Sequence, residues 1–225
     1  MNKTKKALIA ALVLGALTAV GAGTYATFSA QTGNPANTFA TGTIVLSDQG
    51  PVTTCLSTAG GATDSNVNPN CDTLVSLTVQ TPGGAGATQN LTLKNVGSLN
   101  AAALKAFSTA CTDANAAAET YHGTGSPCSS VQLYIQQWTS AARTTVTACL
   151  YGGAVVANTC DFSDTTKTIG AFQTAHPNLA GGQNLGALTA GSSVFLTIGV
   201  AMPASTAGNN MQGRSASFDL TWNIQ

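Results

Sequence analysis

Apolar and polar residues alternate most cleanly near the end of the chain. Over residues 215–224, Phe218, Leu220, Trp222 and Ile224 fall on one face and Ser217, Asp219, Thr221 and Asn223 on the other. A period of two is the mark of a half-buried β-strand. The same alternation recurs in four other stretches. Val75, Leu77 and Val79 stand out in residues 74–80, Leu91 and Leu93 in 89–96, Val131, Leu133 and Ile135 in 131–138, and Val146, Ala148 and Leu150 in 144–151. Residues 193–201 predict a strand ending before Met202-Pro203, and residues 43–47 a short one of β-branched and aliphatic residues. The turn-rich run 81–88 (TPGGAGAT) predicts that 74–80 and 89–96 form an antiparallel hairpin.

Between these strands the pattern changes. Residues 97–121 are rich in alanine, and 101–110 have the composition of a short helix; 163–175 predict a second one ahead of His176-Pro177. Residues 48–70, 121–130 and 204–214 read as polar loops, as does 29–37, which contains Gly33-Asn34-Pro35 between Phe28 and Phe39. Seven or more strands with polar connections and few helices predict an all-β protein, an antiparallel sandwich with a jelly roll as the preferred ordering.

The first 26 residues follow a different rule. Lys3, Lys5 and Lys6 precede an uncharged apolar run over 7–23, and the small residues Thr24 and Ala26 flank Tyr25. Basic, apolar and small-x-small regions in that order make a secretory signal peptide. Cleavage is expected between Ala26 and Thr27, leaving residues 27–225 as one domain. The competing reading is an uncleaved signal anchor, since the apolar run is at the lower limit for a membrane span. In either case the membrane is touched only through the signal, because no second apolar run of that length follows. A type IV prepilin is a poor match, because no acid sits a few residues into the apolar run.

Export changes how the cysteines are read. All six, Cys55, Cys71, Cys111, Cys128, Cys149 and Cys160, lie beyond the signal. An even number in an exported chain reads as disulfides. Six cysteines leave the connectivity open; pairing sequence neighbours gives 55–71, 111–128 and 149–160, each worth about 3 kcal/mol by loop entropy. No C-x-x-C spacing points to structural zinc. Charge is scarce. Without the signal, five bases face eight acids, a net of −3, which provides no electrostatic footprint for nucleic acid. The polar surface is made of Thr, Ser, Asn, Gln and Gly, and such uncharged surfaces self-associate readily.

Catalytic patterns are missing from the sequence. There is no H-E-x-x-H and no G-x-S-x-G; His122 and His176 are the only histidines, and both fall in loops. Asp161 and Asp164 read as loop and cap residues, and Gly83-Gly84-Ala85-Gly86 lies between strands, where no helix follows to hold a phosphate. No catalytic residue, metal ligand or cofactor is assigned. Asn90-Leu91-Thr92 matches a glycosylation sequon but falls within a strand, and Trp138 and Trp222 fit strand-face or core packing.

Four segments carry a resemblance. They are Gly21 to Ser29 (GAGTYATFS), Asn37 to Leu46 (NTFATGTIVL), Leu91 to Leu99 (LTLKNVGSL), and a tail with Leu188-Thr189-Ala190-Gly191, Met202-Pro203, Asn209-Asn210, Gln212-Gly213 and Phe218-Asp219-Leu220-Thr221-Trp222. In this order they resemble the TasA/camelysin family of bacterial surface and biofilm-matrix proteins, whose signals are served by a dedicated, SipW-type peptidase. The six-cysteine middle departs from that pattern. The resemblance implies a secreted jelly-roll subunit that polymerises with itself, with an accessory anchor subunit as a further partner. The N-terminal strand, residues 27–46, would insert into the next subunit with Phe28, Phe39, Ile44 and Leu46 as the polymerisation strand's side chains. The alternative is that this strand folds back on its own domain, which would leave a monomeric adhesion or glycan-binding module. A camelysin-like metallopeptidase is the least supported reading.

Overall fold

The computed structural model describes residues 42–58, 71, 74, 83, 86–117, 119–204 and 209–225. The strands are β1 (Leu46–Gln49), β2 (Thr54–Leu56), β3 (Ala87–Asn95), β4 (Ala101–Phe107), β5 (Cys111–Asn115), β6 (Gln132–Trp138), β7 (Val146–Tyr151), β8 (Val155–Val156), β9 (Thr159–Cys160), β10 (Gln183–Leu188), β11 (Ser193–Ala201), β12 (Arg214–Phe218) and β13 (Thr221–Ile224). Two short helices join them, α1 (Pro127–Ser130) and α2 (Ile169–Ala175). The larger sheet runs β2-β1-β3-β11-β6-β7; β10-β4-β13, β12-β5 and β8-β9 make the others. Every strand pair is antiparallel. The protein is all-β, as the alternation predicts.

The core explains the pattern. Leu91 and Leu93 of β3, Leu196 and Ile198 of β11, and Leu133 and Ile135 of β6 point inward from the larger sheet. They share one buried cluster with Leu104 of β4, Leu188 of β10, Trp222 and Ile224 of β13, and Phe172 of α2. Each such side chain contributes about 1.5–3 kcal/mol on burial. Strand β11 pairs with β3 over Ser193–Val200 and with β6 over Phe195–Ala201, so most of its length is paired on both sides.

Several elements differ from the sequence expectation. Residues 101–110 form β4 and the turn after it; no helix forms there. Alanine is the best helix former, but β4 is the middle strand of its sheet, pairing Leu104 with Ile224 and Ala106 with both Trp222 and Gln183. Ladders on both sides override the local preference. The strand expected over 131–138 does form, but its polar row does not meet solvent. Gln132 and Gln136 are buried because residues 152–167 fold back over them. Gln132 Nε2 donates to the carbonyls of Phe162 (2.7 Å) and Asp164 (3.0 Å), and Cys160 N donates to Gln136 Oε1 (2.7 Å). The Tyr134 and Phe162 rings pack at 4.9 Å. Gly199 on β11 leaves room for Tyr134, since a Cβ there would lie 2.3 Å from the ring. The loop expected over 121–130 includes α1, and the helix expected over 163–175 starts only at Ile169, capped by the Thr168 hydroxyl. The hairpin partner expected over 74–80 lies outside the described residues, apart from Leu74, which packs on the core.

The last expected strand is broken in two, and the break has a cause. Ser217 and Phe218 of β12 pair with β5, Thr221 and Trp222 of β13 pair with β4, and Asp219 sits between them. Its carboxylate accepts from Ala110 N (2.7 Å), Thr109 N (3.1 Å) and Thr109 Oγ1 (2.7 Å), and from Ser108 Oγ (3.3 Å). A side chain thus takes over the ladder where β4 passes into β5. Burial pushes this carboxyl up, but the bonds from Thr109 and Ala110 outweigh it and hold it below the usual carboxylate value. A carboxyl depressed by folding adds stability above its unfolded value, about pH 3.9, and that stability is lost as pH falls through the lower folded value. Asp219→Ala is expected to cost about 1–2 kcal/mol at pH 7. The gap to wild type should narrow as pH falls through the lowered folded value, as read by thermal unfolding across pH.

Candidate functional site

The disulfides join sequence neighbours: Cys55 with Cys71, Cys111 with Cys128 and Cys149 with Cys160. Three such bonds indicate an oxidising compartment. The second ties α1 to β5, reinforced by Cys128 N donating to Asp113 Oδ1 at 2.8 Å. The third fastens the segment that covers Gln136 to β7. Among the described residues no helix is long and apolar enough to cross a membrane. Ala26, Thr27, Phe28 and Phe39 lie outside the described residues.

Ile44 and Leu46 are described, and both belong to their own domain's core. Leu46 is buried and Ile44 packs against the cluster. The strand they sit on starts later than expected, at Leu46, but its backbone is tied from Thr43 onward. Val96 N donates to Val45 O (2.8 Å), while Ser98 N (2.8 Å) and Leu99 N (3.0 Å) both donate to Thr43 O. Thr43 N donates to Ser98 Oγ (3.0 Å), and Leu46 N to Ser57 Oγ (3.1 Å). Strand β1 then runs against β3 with Leu46 opposite Asn95 and Gln49 opposite Thr92.

Two residues of the N-x-G-S turn make this docking possible. Asn95 is fully buried. Its Nδ2 donates to Leu188 O (3.0 Å) and Leu99 O (2.8 Å), and its Oδ1 accepts from Gly97 N (3.0 Å). One side chain therefore holds the turn in shape and joins it to the end of β10. Gly97 is where the N-terminal backbone crosses. A Cβ there would lie 2.2 Å from Thr43 O, 2.7 Å from Val45 N and 2.9 Å from Ile44 Cα. All three are backbone atoms, so no side chain fits. In the sequence this stretch reads as a strand leading into an ordinary turn; its role as a seat for the N-terminal strand needs the fold.

The chain enters this seat through an apolar rim. Gly42 and Thr43 are exposed, and Leu99 lies against Gly42. Leu56, Val96 and Leu99, on the segments beside β1, are 38%, 45% and 47% exposed.

The remaining candidates have separate surroundings. His122 Nδ1 bonds Gly213 O (2.8 Å), and His176 Nδ1 bonds Gly181 O (2.8 Å). Asp161 accepts from Ser163 Oγ (2.7 Å) and Ala154 N (2.9 Å), and Asp164 from Thr166 N (3.0 Å) and its hydroxyl (2.6 Å). The Ser163 and Thr166 hydroxyls, first among their bonds, hold these carboxyls below the usual range. Both aspartates shape loops. Trp222 is in the core, while Trp138 lies on the outer face of β6 with Nε1 donating to Thr197 Oγ1 (2.7 Å). Among the described residues no group of three His, Cys, Asp or Glu side chains is placed to hold a metal. A cleft of about 420 Å³ lies between β7 and α2, lined by Leu150, Tyr151, Lys167, Ala171, Ala175 and His176 among others; no sequence signal marks it. Burial, then the Asp164 charge, pushes the Tyr151 hydroxyl up to about 12, so it stays neutral and donates to Thr168 O (3.1 Å). No family model and no curated protein matches the chain.

Proposed function

We propose that this protein is a secreted structural subunit that polymerises into surface or matrix fibres through the segment preceding Gly42. It does not act as an enzyme. The observation that carries the reading is the division of the N-terminal strand. From Thr43 onward the backbone is fixed to its own domain over Gly97. Gly42 and Thr43, where the described chain begins, are exposed beside Leu99. Strand exchange would use the segment before this anchor: main-chain bonds give affinity and alternate side chains give register. A head-to-tail contact that does not close makes an open filament.

Three further points support this reading. The signal-like N-terminus and the disulfides agree with export. The low surface charge favours self-association. The resemblance to the TasA/camelysin family points the same way, with a dedicated signal peptidase during export and an anchor subunit as accessory partners. The strand order is read as a jelly-roll variant, with β3-β11-β6 adjacent in one layer, β4-β10 in the other, and the chain crossing between layers from β3 to β4 and from β10 to β11.

Ile44 and Leu46 are then the anchor that stays at home, and residues 27–41 are the exchanged part. Electron microscopy of the mature chain starting at Thr27, beside one starting at Gly42, tests this. Filaments from the first and folded monomers from the second are expected. Monomers from both, across concentration and pH, would overturn the reading in favour of a surface-binding module.

A further inference from the structure

We propose that the acceptor for the exchanged segment is the outer edge of β7, and that residues 27–32 of a second copy lie along it with Phe28 in the cleft between β7 and α2. The proposal rests on the fibre reading above and names its second surface.

The argument starts from the two ends of the larger sheet. At one end β1 is covered by β2, which is only three residues long. At the other end, among the described residues, β7 pairs with β6 alone. Asn158 closes the start of its outer edge: Val146 N donates to Asn158 Oδ1 (2.8 Å) and Asn158 Nδ2 to Thr144 O (2.5 Å). From Thr147 to Leu150 no hydrogen bond other than the β6 ladder is found among the described residues. Exposed strand edges are templates for another chain unless blocked by charge, proline or a cover. This stretch (Thr147, Ala148, Cys149, Leu150) has neither charge nor proline.

The cleft lies along that same edge. Four consecutive β7-side residues, Cys149 to Gly152, line it on one side and Ala171, Ala175 and His176 of the α2 side on the other. Its volume, about 420 Å³, is in the range that takes a buried side chain or small ligand. Leu150, Ala171 and Ala175 give the cleft an apolar wall for the face of an aromatic ring, and Thr166, Lys167 and Gln183 make its remaining lining polar.

The occupant follows from where the chain begins. The described chain begins at Gly42, at the β1 end of the sheet, and β7 is at the opposite end, so a segment preceding Gly42 in one copy would meet another copy's β7 in a repeating head-to-tail contact. Residues 27–32 (TFSAQT) alternate Phe28, Ala30 and Thr32 with Thr27, Ser29 and Gln31, uncharged and free of proline up to Gly33-Asn34-Pro35. Their length suits the open part of β7. Residues 33–42 remain as a connector, spanning at most about 35 Å.

Two measurements on the full mature chain test this. The first replaces exposed Ala175 by tryptophan to fill the cleft. Ala175→Trp is expected to keep the circular dichroism and melting temperature of the parent while losing filaments, and to cap wild-type growth when mixed in. The second places a benzophenone amino acid at Phe28. Irradiated filaments are expected to show an intermolecular cross-link mapping by mass spectrometry to residues 147–152 or 171–176. Wild-type-like filaments from a folded Ala175→Trp, or cross-links confined to β2 or another edge, would overturn the β7 assignment and leave the fibre reading standing. If the wild-type chain itself forms no filaments, both fall together.

Discussion

Replacing Asn95 by alanine is expected to lower the melting temperature by roughly 10 °C and to loosen two distant parts of the domain at once. The side chain is fully buried and makes three hydrogen bonds, to Leu188 O, Leu99 O and Gly97 N. Of these partners Leu188 O is the most costly to strip, because the Asn95 bond to it is buried. An unpaired buried polar group costs about 1–3 kcal/mol, and the void left by the amide adds to it, for a total of about 2–4 kcal/mol. In a domain of this size each kcal/mol lowers the midpoint by about 2–4 °C. Asn95→Asp keeps the acceptor for Gly97 N but loses the two donors, so it should recover little. Thermal unfolding by circular dichroism gives the size of the effect. Hydrogen exchange should show lost protection both at the 95–99 turn and at the end of β10; a loss confined to the turn would show that Asn95 does not join the two.

Gly97→Val is expected to release the N-terminal strand while sparing the core. The added atoms would overlap the backbone at Thr43, Ile44 and Val45. Backbone cannot rotate aside as a flexible side chain would, so the whole of 43–45 must lift. With it go the bonds from Val96, Ser98 and Leu99 and the packing of Ile44. Leu46 to Gln49 remain held between β2 and β3. The expected cost is about 1–3 kcal/mol, in the range for overpacking a tight contact. The signature is fast exchange of the Val96, Ser98 and Leu99 amides with β11 amides still protected. Unchanged protection at Ser98 would mean that the strand tolerates a side chain below it and that the seat described here is looser than its geometry.

Much of the fold was legible because the alternation reflects what the strands bury. Residues 193–201 match β11 residue for residue, since both of its neighbours are strands and every inward position is Val, Leu or Ile. The neighbouring-cysteine pairs follow from short loops whose ends meet across adjacent elements. Other parts could not be read. Strand β10 contains Asn184 and Gly186, and its ladder with β4 shifts register at Gly186, where φ is +99°; glycine at such an irregularity hides the period. Alanine in β4 argued for a helix because local preference cannot see two pairing partners. Gln132 and Gln136 looked solvent-facing because the segment that covers them comes later in the chain and binds them mainly through its backbone.

The site was legible in outline only. Ile44 and Leu46 were assigned to the strand that enters the next subunit, whereas in the structure Leu46 is buried in its own domain's core and Ile44 packs against it. The reason lies in Gly97 and Asn95, which look like an ordinary turn until the crossing backbone is placed. The place of β7 at the end of its sheet, among the described residues, has no sequence mark either, since an edge is defined by which strands pair.

The most direct test of the account uses the exchanged segment by itself. A synthetic peptide of residues 27–41 is titrated into the chain starting at Gly42, with fluorescence anisotropy on a labelled peptide as the readout. Saturable binding, abolished by Phe28→Ala in the peptide, is the result the account expects. A chain that is folded by circular dichroism yet shows no binding up to millimolar peptide would contradict the claim that the segment before Gly42 belongs to a neighbouring copy.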